Sequence, residues 1–469
     1  MLIFAICFYL LINLGVGLWA SKRIHNTEDF VLAGRRLPMA LATMVTFATW
    51  FGSETMMGSP SHFLEGGFLS VIEEPFGAAL CLVLVGVFFA RTFYRWNIIT
   101  FCDFFLIRFG KTAEFVSAAM IIPSYFGWIA AQFVAMGIVG QVIFGLPLAT
   151  GIWVGACMVM VYTLTGGMWS ISITDFLHNI ILIIGLVVLA VILFTKTGGI
   201  EPVLAQQPEG FFRMVPKEHS LQSYAEYLAA WITIGLGSIP QQDIFQRVMA
   251  SKDADTAVKS SIWAGVLYLT VALLPLFIAL ASKSLYPQLM QGDTKMIIPN
   301  MVLQHAPMWI QILFFGALIS ALLSTSSGAI LAPAAVLGEN LVKPYFPKLP
   351  DAKLLLVIRG GVVLVTLSSI WMARSRQDIF ELVGESSAFS LVSLFIPLTF
   401  GLYWKRANKA GCLASMILGL GVWMGCEFVW ETTFPALLYG TLASLLGMLV
   451  GSWLTPPQPL LSPTLKKLD

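Results

Sequence analysis

Ala48-Thr49-Trp50-Phe51-Gly52-Ser53-Glu54-Thr55-Met56-Met57-Gly58-Ser59-Pro60 is apolar enough at its flanks to cross a bilayer, yet it carries two glycines, a proline, several hydroxyls and a carboxylate. Glycine weakens a helix and proline removes a backbone donor. In lipid, a broken backbone survives only where it is buried in protein or lines a watery cavity. Two readings are open for the stretch alone. It is a binding site whose freed carbonyls hold a cation, or a small-residue helix packed tightly on a neighbour, with its hydroxyls bonded to its own backbone.

Composition decides the class. The 469 residues are 58% hydrophobic and only 11% charged, with 34 Phe and 14 Trp. About a quarter of a soluble domain is charged, so the chain reads as an all-α polytopic membrane protein. A net charge of +2 gives no argument for nucleic acid as a partner. The six cysteines are scattered through apolar segments without a C-x-x-C pair, which argues against a disulfide framework or a zinc site. The apolar start, 2–20, lacks a basic region before it and reads as a retained helix.

Working outward, thirteen apolar segments are long enough to span, near 2–20, 38–60, 66–90, 113–141, 148–166, 176–195, 224–246, 258–282, 308–338, 354–373, 379–403, 409–430 and 435–454. An odd number places the termini on opposite faces. With the N-terminus outside and the C-terminus inside, 20 of the 27 basic residues fall on the inner side, Arg108, Arg247, Lys466 and Lys467 among them. The loops are too short for a soluble catalytic module.

A second interrupted segment, Thr233-Ile234-Gly235-Leu236-Gly237-Ser238-Ile239-Pro240-Gln241-Gln242-Asp243, opens the seventh span. Broken helices in corresponding positions point to inverted repeats. Spans two to six and seven to eleven are then two five-helix halves, the second entering from the opposite face. The chain divides into an extra N-terminal helix with its inner loop (1–36), a first repeat (37–200), a second repeat (201–405) and two C-terminal helices with a tail (406–469). The ninth span adds Ser320-Ala321-Leu322-Leu323-Ser324-Thr325-Ser326-Ser327, five hydroxyls in eight residues. Such oxygens are hard ligands suited to hard cations. Alone they would be read as bonding back to carbonyls one turn earlier; beside a broken second span, a small alkali-cation site is the better reading.

These residues resemble the sodium/solute symporter family. The landmarks are Phe30-Val31-Leu32-Ala33-Gly34-Arg35-Arg36, then Tyr162-Thr163-Leu164-Thr165-Gly166-Gly167-Met168-Trp169 leading to Thr174-Asp175, and Ala321-x-x-Ser324-Thr325. The resemblance implies a five-plus-five inverted-repeat, leucine-transporter-like fold. It also implies Na+ between the second and ninth spans, held by the carbonyls of Ala48, Phe51 and Ala321 and the hydroxyls of Ser324 and Thr325. Asp175 matches an acid near the inner exit of the ion path; the alternative for it is a solvated loop carboxylate or a helix cap.

Within the family the chain is similar to the high-affinity choline transporter-like subgroup, through Thr49-Trp50, Ile239-Pro240-Gln241 and Ile297-Ile298-Pro299. That likeness implies an aromatic enclosure for a quaternary ammonium, as cation–π attraction favours. Trp50 and Trp128 match two of its rings, whereas Gln241 and Ala78 stand where two more would align. Trp50 also replaces the aspartate of the proline-symporter pattern.

The remaining intramembrane carboxylates are Glu54, Glu73, Glu74, Glu385 and Glu427, and a charge there suggests function by default. Glu54, one turn beyond Trp50, is placed to face a solute cavity and attract an amine. Glu73 and Glu74 lie early in the third span, where a structural hydrogen bond or a place near the outer interface is the competing reading. His62 and His178 read as polar residues near span ends, and Trp263, Trp309 and Trp423 as an interfacial belt. The expected function is sodium-coupled symport of a small polar organic solute (an amine, choline-like or an amino acid) across the cell's inner or plasma membrane, with no obligate protein partner. The alternative is a transporter-like solute sensor acting through a partner protein. An enzyme is disfavoured, because no nucleophile–base or metal-ligand pattern is present.

Overall fold

The computed structural model describes residues 2–22 and 24–457. Arg23, Lys466 and Lys467, all counted above on the inner side, lie outside the described residues. The described chain is helical throughout, and its sole extended pairing is a two-residue bridge between Leu37 and Ser251.

In chain order the helices are α1 (Leu2–Ser21), α2 (Met39–Trp50), α3 (54–66), α4 (Phe68–Trp96), α5 (Lys111–Phe144), α6 (Leu148–Leu164) and α7 (Gly167–Lys196). The second half holds α8 (Leu221–Gly237), α9 (Gln242–Ala250), α10 (Ala254–Leu285), α11 (Ile297–His305) and α12 (Met308–Val342). It ends with α13 (Asp351–Ser375), α14 (Ile379–Tyr403), α15 (Lys409–Phe428) and α16 (Ala436–Leu454). Among the described residues nine of these are long and apolar enough to cross a membrane: α4, α5, α7, α10 and α12 to α16. The second and seventh apolar segments are each split, into α2 with α3 and α8 with α9.

Several sequence expectations shift at this level. The fifth and sixth segments, α6 and α7, meet without a loop at a sharp break at Gly167 (φ 50°), a backbone conformation that favours glycine. The sixth span therefore starts at Gly167, not near 176, and Asp175 is neither a loop residue nor a cap but a buried side chain two turns into α7. His178 is likewise buried in α7, with both ring nitrogens unpartnered, its ring 6.3 Å from Tyr9 of α1. Arg108 and Arg247, counted as inner-loop cations, are buried. Arg108 donates to the Gly401 and Ala407 carbonyls at 3.1 and 2.6 Å, stitching the C-terminal end of α14 to the segment before α5.

α12 packs against the α6–α7 pair, α5, α13 and α2, so it occupies the centre of the bundle beside the first broken helix. Backbone hydrogen bonds Leu37 N to Ala250 O and Lys252 N to Leu37 O tie the entry of α2 to the exit of α9. At the opposite end of α3, Ser61 hydrogen-bonds Thr294, and His62 lies 3.6 Å from Asp378, which begins α14. Lys295 reaches the same carboxylate at 3.9 Å. Asp378 is pushed down to about 2, chiefly by its hydrogen bond with His62.

Candidate cation and solute site at the first broken helix

A helix leaves its last four carbonyls without amide partners, and the break after Trp50 puts those carbonyls in the interior. Phe51 leaves helical geometry (ψ 72°), and the Gly52 amide turns back to the Trp50 carbonyl at 2.9 Å. In an unbroken helix that amide would serve Ala48. The Ala48 carbonyl is taken instead by the Thr325 hydroxyl of α12 at 3.0 Å. This contact joins the two segments that the sequence singled out, although 277 residues separate them.

The hydroxyl cluster on α12 sorts itself. Ser326 and Ser327 donate back to Leu322 and Leu323, as isolated helical serines do. Thr325 crosses to α2, and the buried Ser324 Oγ has no hydrogen-bond partner. The two hydroxyls expected to hold an ion are thus those that do not bond back to their own helix. Ala321 lies one turn before them and is buried, as are Ala48 and Phe51. The Phe51 ring stacks on Phe47 with centroids 4.9 Å apart, leaving its backbone to shape the break.

Trp50 and Trp128 come together as the enclosure requires: both are buried, with ring centroids 5.9 Å apart and planes tilted by 36°. Tyr125 continues the row 6.0 Å from Trp128, an aromatic the sequence reading missed. The Trp50 indole N–H is buried and unpartnered. Gln241 is buried in the break between α8 and α9. Among the described residues no hydrogen bond or ring contact joins it to either tryptophan.

Glu54 is placed differently from the expectation. It is wholly buried, and its oxygens accept from Gln132 Nε2 at 2.8 Å, Ser53 Oγ at 3.2 Å and Trp128 Nε1 at 3.3 Å. Gln132 also accepts from the Ser53 amide at 3.0 Å. The carboxylate is therefore a brace between the start of α3 and α5 that also orients Trp128, not a group held open to a cavity. A polar Gln132 in an apolar run was a usable signal that went unread.

Glu74 takes the structural reading: it is wholly buried and accepts from Thr55 at 3.0 Å and from the Tyr268 phenol of α10. Its neighbour Glu73 faces the other way, into a cavity of about 450 Å³ that Glu385, Glu427, Arg376 and Trp423 also line. Trp423 is buried there, so it does not belong to the interfacial belt; Trp263 and Trp309 are exposed, as expected.

Behind the ion segment, Arg247 of α9 is buried against α12. A Cβ on Gly328 would fall 2.3 Å from its Nη2. Its charge acts on both Asp175 and Asp243. Asp243 accepts from Tyr125, and one oxygen of each aspartate has no hydrogen-bond partner.

Comparison with known proteins places these features in a family context. The sodium:solute symporter family model matches residues 30–419. The high-affinity choline transporter 1 of Caenorhabditis elegans is 26% identical over 450 residues, covering 89% of this chain and 76% of the relative. The osmoregulated proline transporter OpuE of Bacillus subtilis is 28% identical over 477 residues, covering 97% and 95%. Among solved structures, a substrate-bound, outward-open Na+-coupled sialic acid symporter superposes with a TM-score of 0.84 at 18% identity, covering 98% of both chains. That likeness is one of fold.

Proposed function

The chain belongs to the sodium:solute symporter family, and from that premise we propose that it is a sodium-coupled importer of a small polar organic solute, working by alternating access. The observation that carries the reading is the Thr325–Ala48 contact, with the unpartnered Ser324 Oγ beside it, at an interrupted helix. Sodium held by the carbonyls of Ala48, Phe51 and Ala321 and the hydroxyls of Ser324 and Thr325 would replace the hydrogen bond that now spans α2 and α12. An ion shifts a conformational equilibrium only by its differential affinity for the two states. A site split between two helices supplies that difference, because it is complete only when they are close. Asp175, buried on α7, would lie along the inward path of the released ion.

The solute class we infer is an amine, choline-like compound or amino acid. Support comes from the paired rings of Trp50 and Trp128, suited to a cationic head group, with Gln241 on the second break as a polar contact. The named relatives carry choline or proline, and the structural neighbour carries sialic acid. The proposed architecture is two inverted five-helix repeats, 37–200 and 201–405, preceded by α1 and followed by α15 and α16. It gives thirteen spans in the cell's plasma or inner membrane, with the N-terminus outside.

The test is counterflow and gradient-driven uptake in proteoliposomes, using labelled choline and labelled proline. Accumulation that requires an inward sodium gradient, and is abolished when potassium replaces sodium, is the expected result. Exchange of either solute indifferent to sodium would overturn the coupling.

A further inference from the structure

The first break exposes two carbonyls, and the ion reading uses only one side of it. On the other side the Trp50 carbonyl is approached by the Thr55 hydroxyl at 3.1 Å and the Tyr268 phenol at 3.2 Å. These two oxygens lie 2.6 Å apart, and both contact Glu74 Oε1, Thr55 at 3.0 Å. Four oxygens from α2, α3, α4 and α10 therefore converge on one point.

The cluster is short of protons. Five close oxygen–oxygen contacts are served by two hydroxyl hydrogens, since an ionised carboxylate and a carbonyl donate nothing. The Trp50 carbonyl already accepts the Gly52 amide. Glu74 Oε2 is buried with no partner at all. Among the described ion pairs none involves Glu74 or Glu54, so an ionised Glu74 would have no side-chain cation to balance it. A buried charge without a partner is strongly disfavoured. A bound cation resolves both the missing charge and the surplus of lone pairs. One carboxylate with three neutral hard oxygens suits a monovalent alkali cation, not a divalent or a soft metal.

We propose that Glu74, Thr55, Tyr268 and the Trp50 carbonyl form a second sodium site on the opposite side of the same break. This rests on the sodium-coupled reading of the Ala48–Thr325 side. The two sites share one interrupted backbone: Ala48 and Trp50 are two residues apart. Filling one therefore positions the carbonyl of the other, and the ions bind cooperatively.

Equilibrium binding of radioactive sodium to the purified full chain, with potassium keeping ionic strength constant, tests the proposal. The expected result is two ions per wild-type chain and one for Glu74→Gln. Thr325→Ala loses the other ion. Tyr268→Phe, a milder change should Glu74→Gln fail to fold, weakens the second ion about tenfold. Melting curves in sodium-free buffer establish that each variant is folded. A folded Glu74→Gln or Tyr268→Phe chain that binds sodium as the wild type does overturns the site. So does a wild type that binds one ion, lost in Thr325→Ala and kept in Glu74→Gln; the symport reading then stands. A wild type that binds no sodium overturns both.

Discussion

At the break between α2 and α3, the Ala48 and Trp50 carbonyls each meet hydroxyls from distant helices. At the break between α8 and α9, the chain's own backbone closes the gap. There Ser238, Ile239 and Gln241 donate their amides to Ile234, Leu236 and Ser238 in turn. Side chains of the second break are partly paired: Ser238 with Ser387 at 3.0 Å, Gln242 Oε1 with the Phe101 amide at 2.6 Å, and one Asp243 oxygen with Tyr125. Gln242 Nε2 and the other Asp243 oxygen have no hydrogen-bond partner. Both stretches carry paired glycines, a proline and an acid, and look alike as sequence. The difference teaches that interrupting a helix does not by itself bring its freed carbonyls against hydroxyls of other helices. The amide after the break must turn away from a carbonyl, as Gly52 turns from Ala48, and a foreign hydroxyl must stand where it pointed.

The sharpest way to break the comparison is to remove one hydroxyl from each side. Thr325→Ala should raise the sodium concentration for half-maximal uptake about tenfold to hundredfold, equivalent to roughly 1–3 kcal/mol for a lost buried polar partner. Thr325→Ser, keeping the oxygen, should move it much less. Tyr125→Phe at the second break should leave that concentration unmoved. Equal shifts in sodium dependence for Thr325→Ala and Tyr125→Phe would erase the distinction between the breaks.

Gly237→Ala probes the second break as a packing joint, because its Cβ would fall 2.3 Å from the Ser387 carbonyl of α14. Overpacking of this kind costs about 1–3 kcal/mol, so the purified protein should melt earlier with its sodium dependence intact. Gly52→Ala at the first break meets the ends of the Gln132 and Glu54 side chains instead. It should disturb transport more than stability. The reverse ranking in thermal melts and uptake would contradict the assignment.

A smaller effect is expected at Asp175. Asp175→Asn replaces the buried carboxyl of α7 with an amide that cannot ionise and should slow turnover by up to about tenfold, some 1.4 kcal/mol on the barrier. Outer sodium affinity should be largely retained; unchanged turnover at saturating sodium counts against a place on the ion path. The least change belongs to the contacts at the C-terminal end of α3. Asp378 is held at about 2 by His62, so its ionised form favours the folded state above its ordinary range near 3.8, and that contribution is lost as pH falls toward 2. Asp378→Asn should therefore lower the melting temperature at neutral pH and stop mattering in acid, read from melts across that range.

Much of the bundle was legible because membrane spans advertise themselves by length and apolarity, and the breaks by glycine and proline. Ser324 and Thr325 were legible because hydroxyls are scarce in such a helix. Glu74, Tyr268 and Gln132 were misplaced or missed for a shared reason. Each acts through a partner on another helix, and an apolar run gives no period that says which neighbour a side chain will meet. Charge counting erred similarly at Arg247 and Arg108, which sit near span ends in sequence but are enclosed by packing.

Composition and hydrophobic run length by themselves determined that the chain is a helical membrane protein with two interrupted spans, since both follow from transfer energies and local backbone preferences. Which carbonyls the breaks release, and which hydroxyls and carboxylates reach them, only the tertiary structure decided. Those contacts join residues up to 277 positions apart. Their geometry comes from how helices cross, a property no single segment contains.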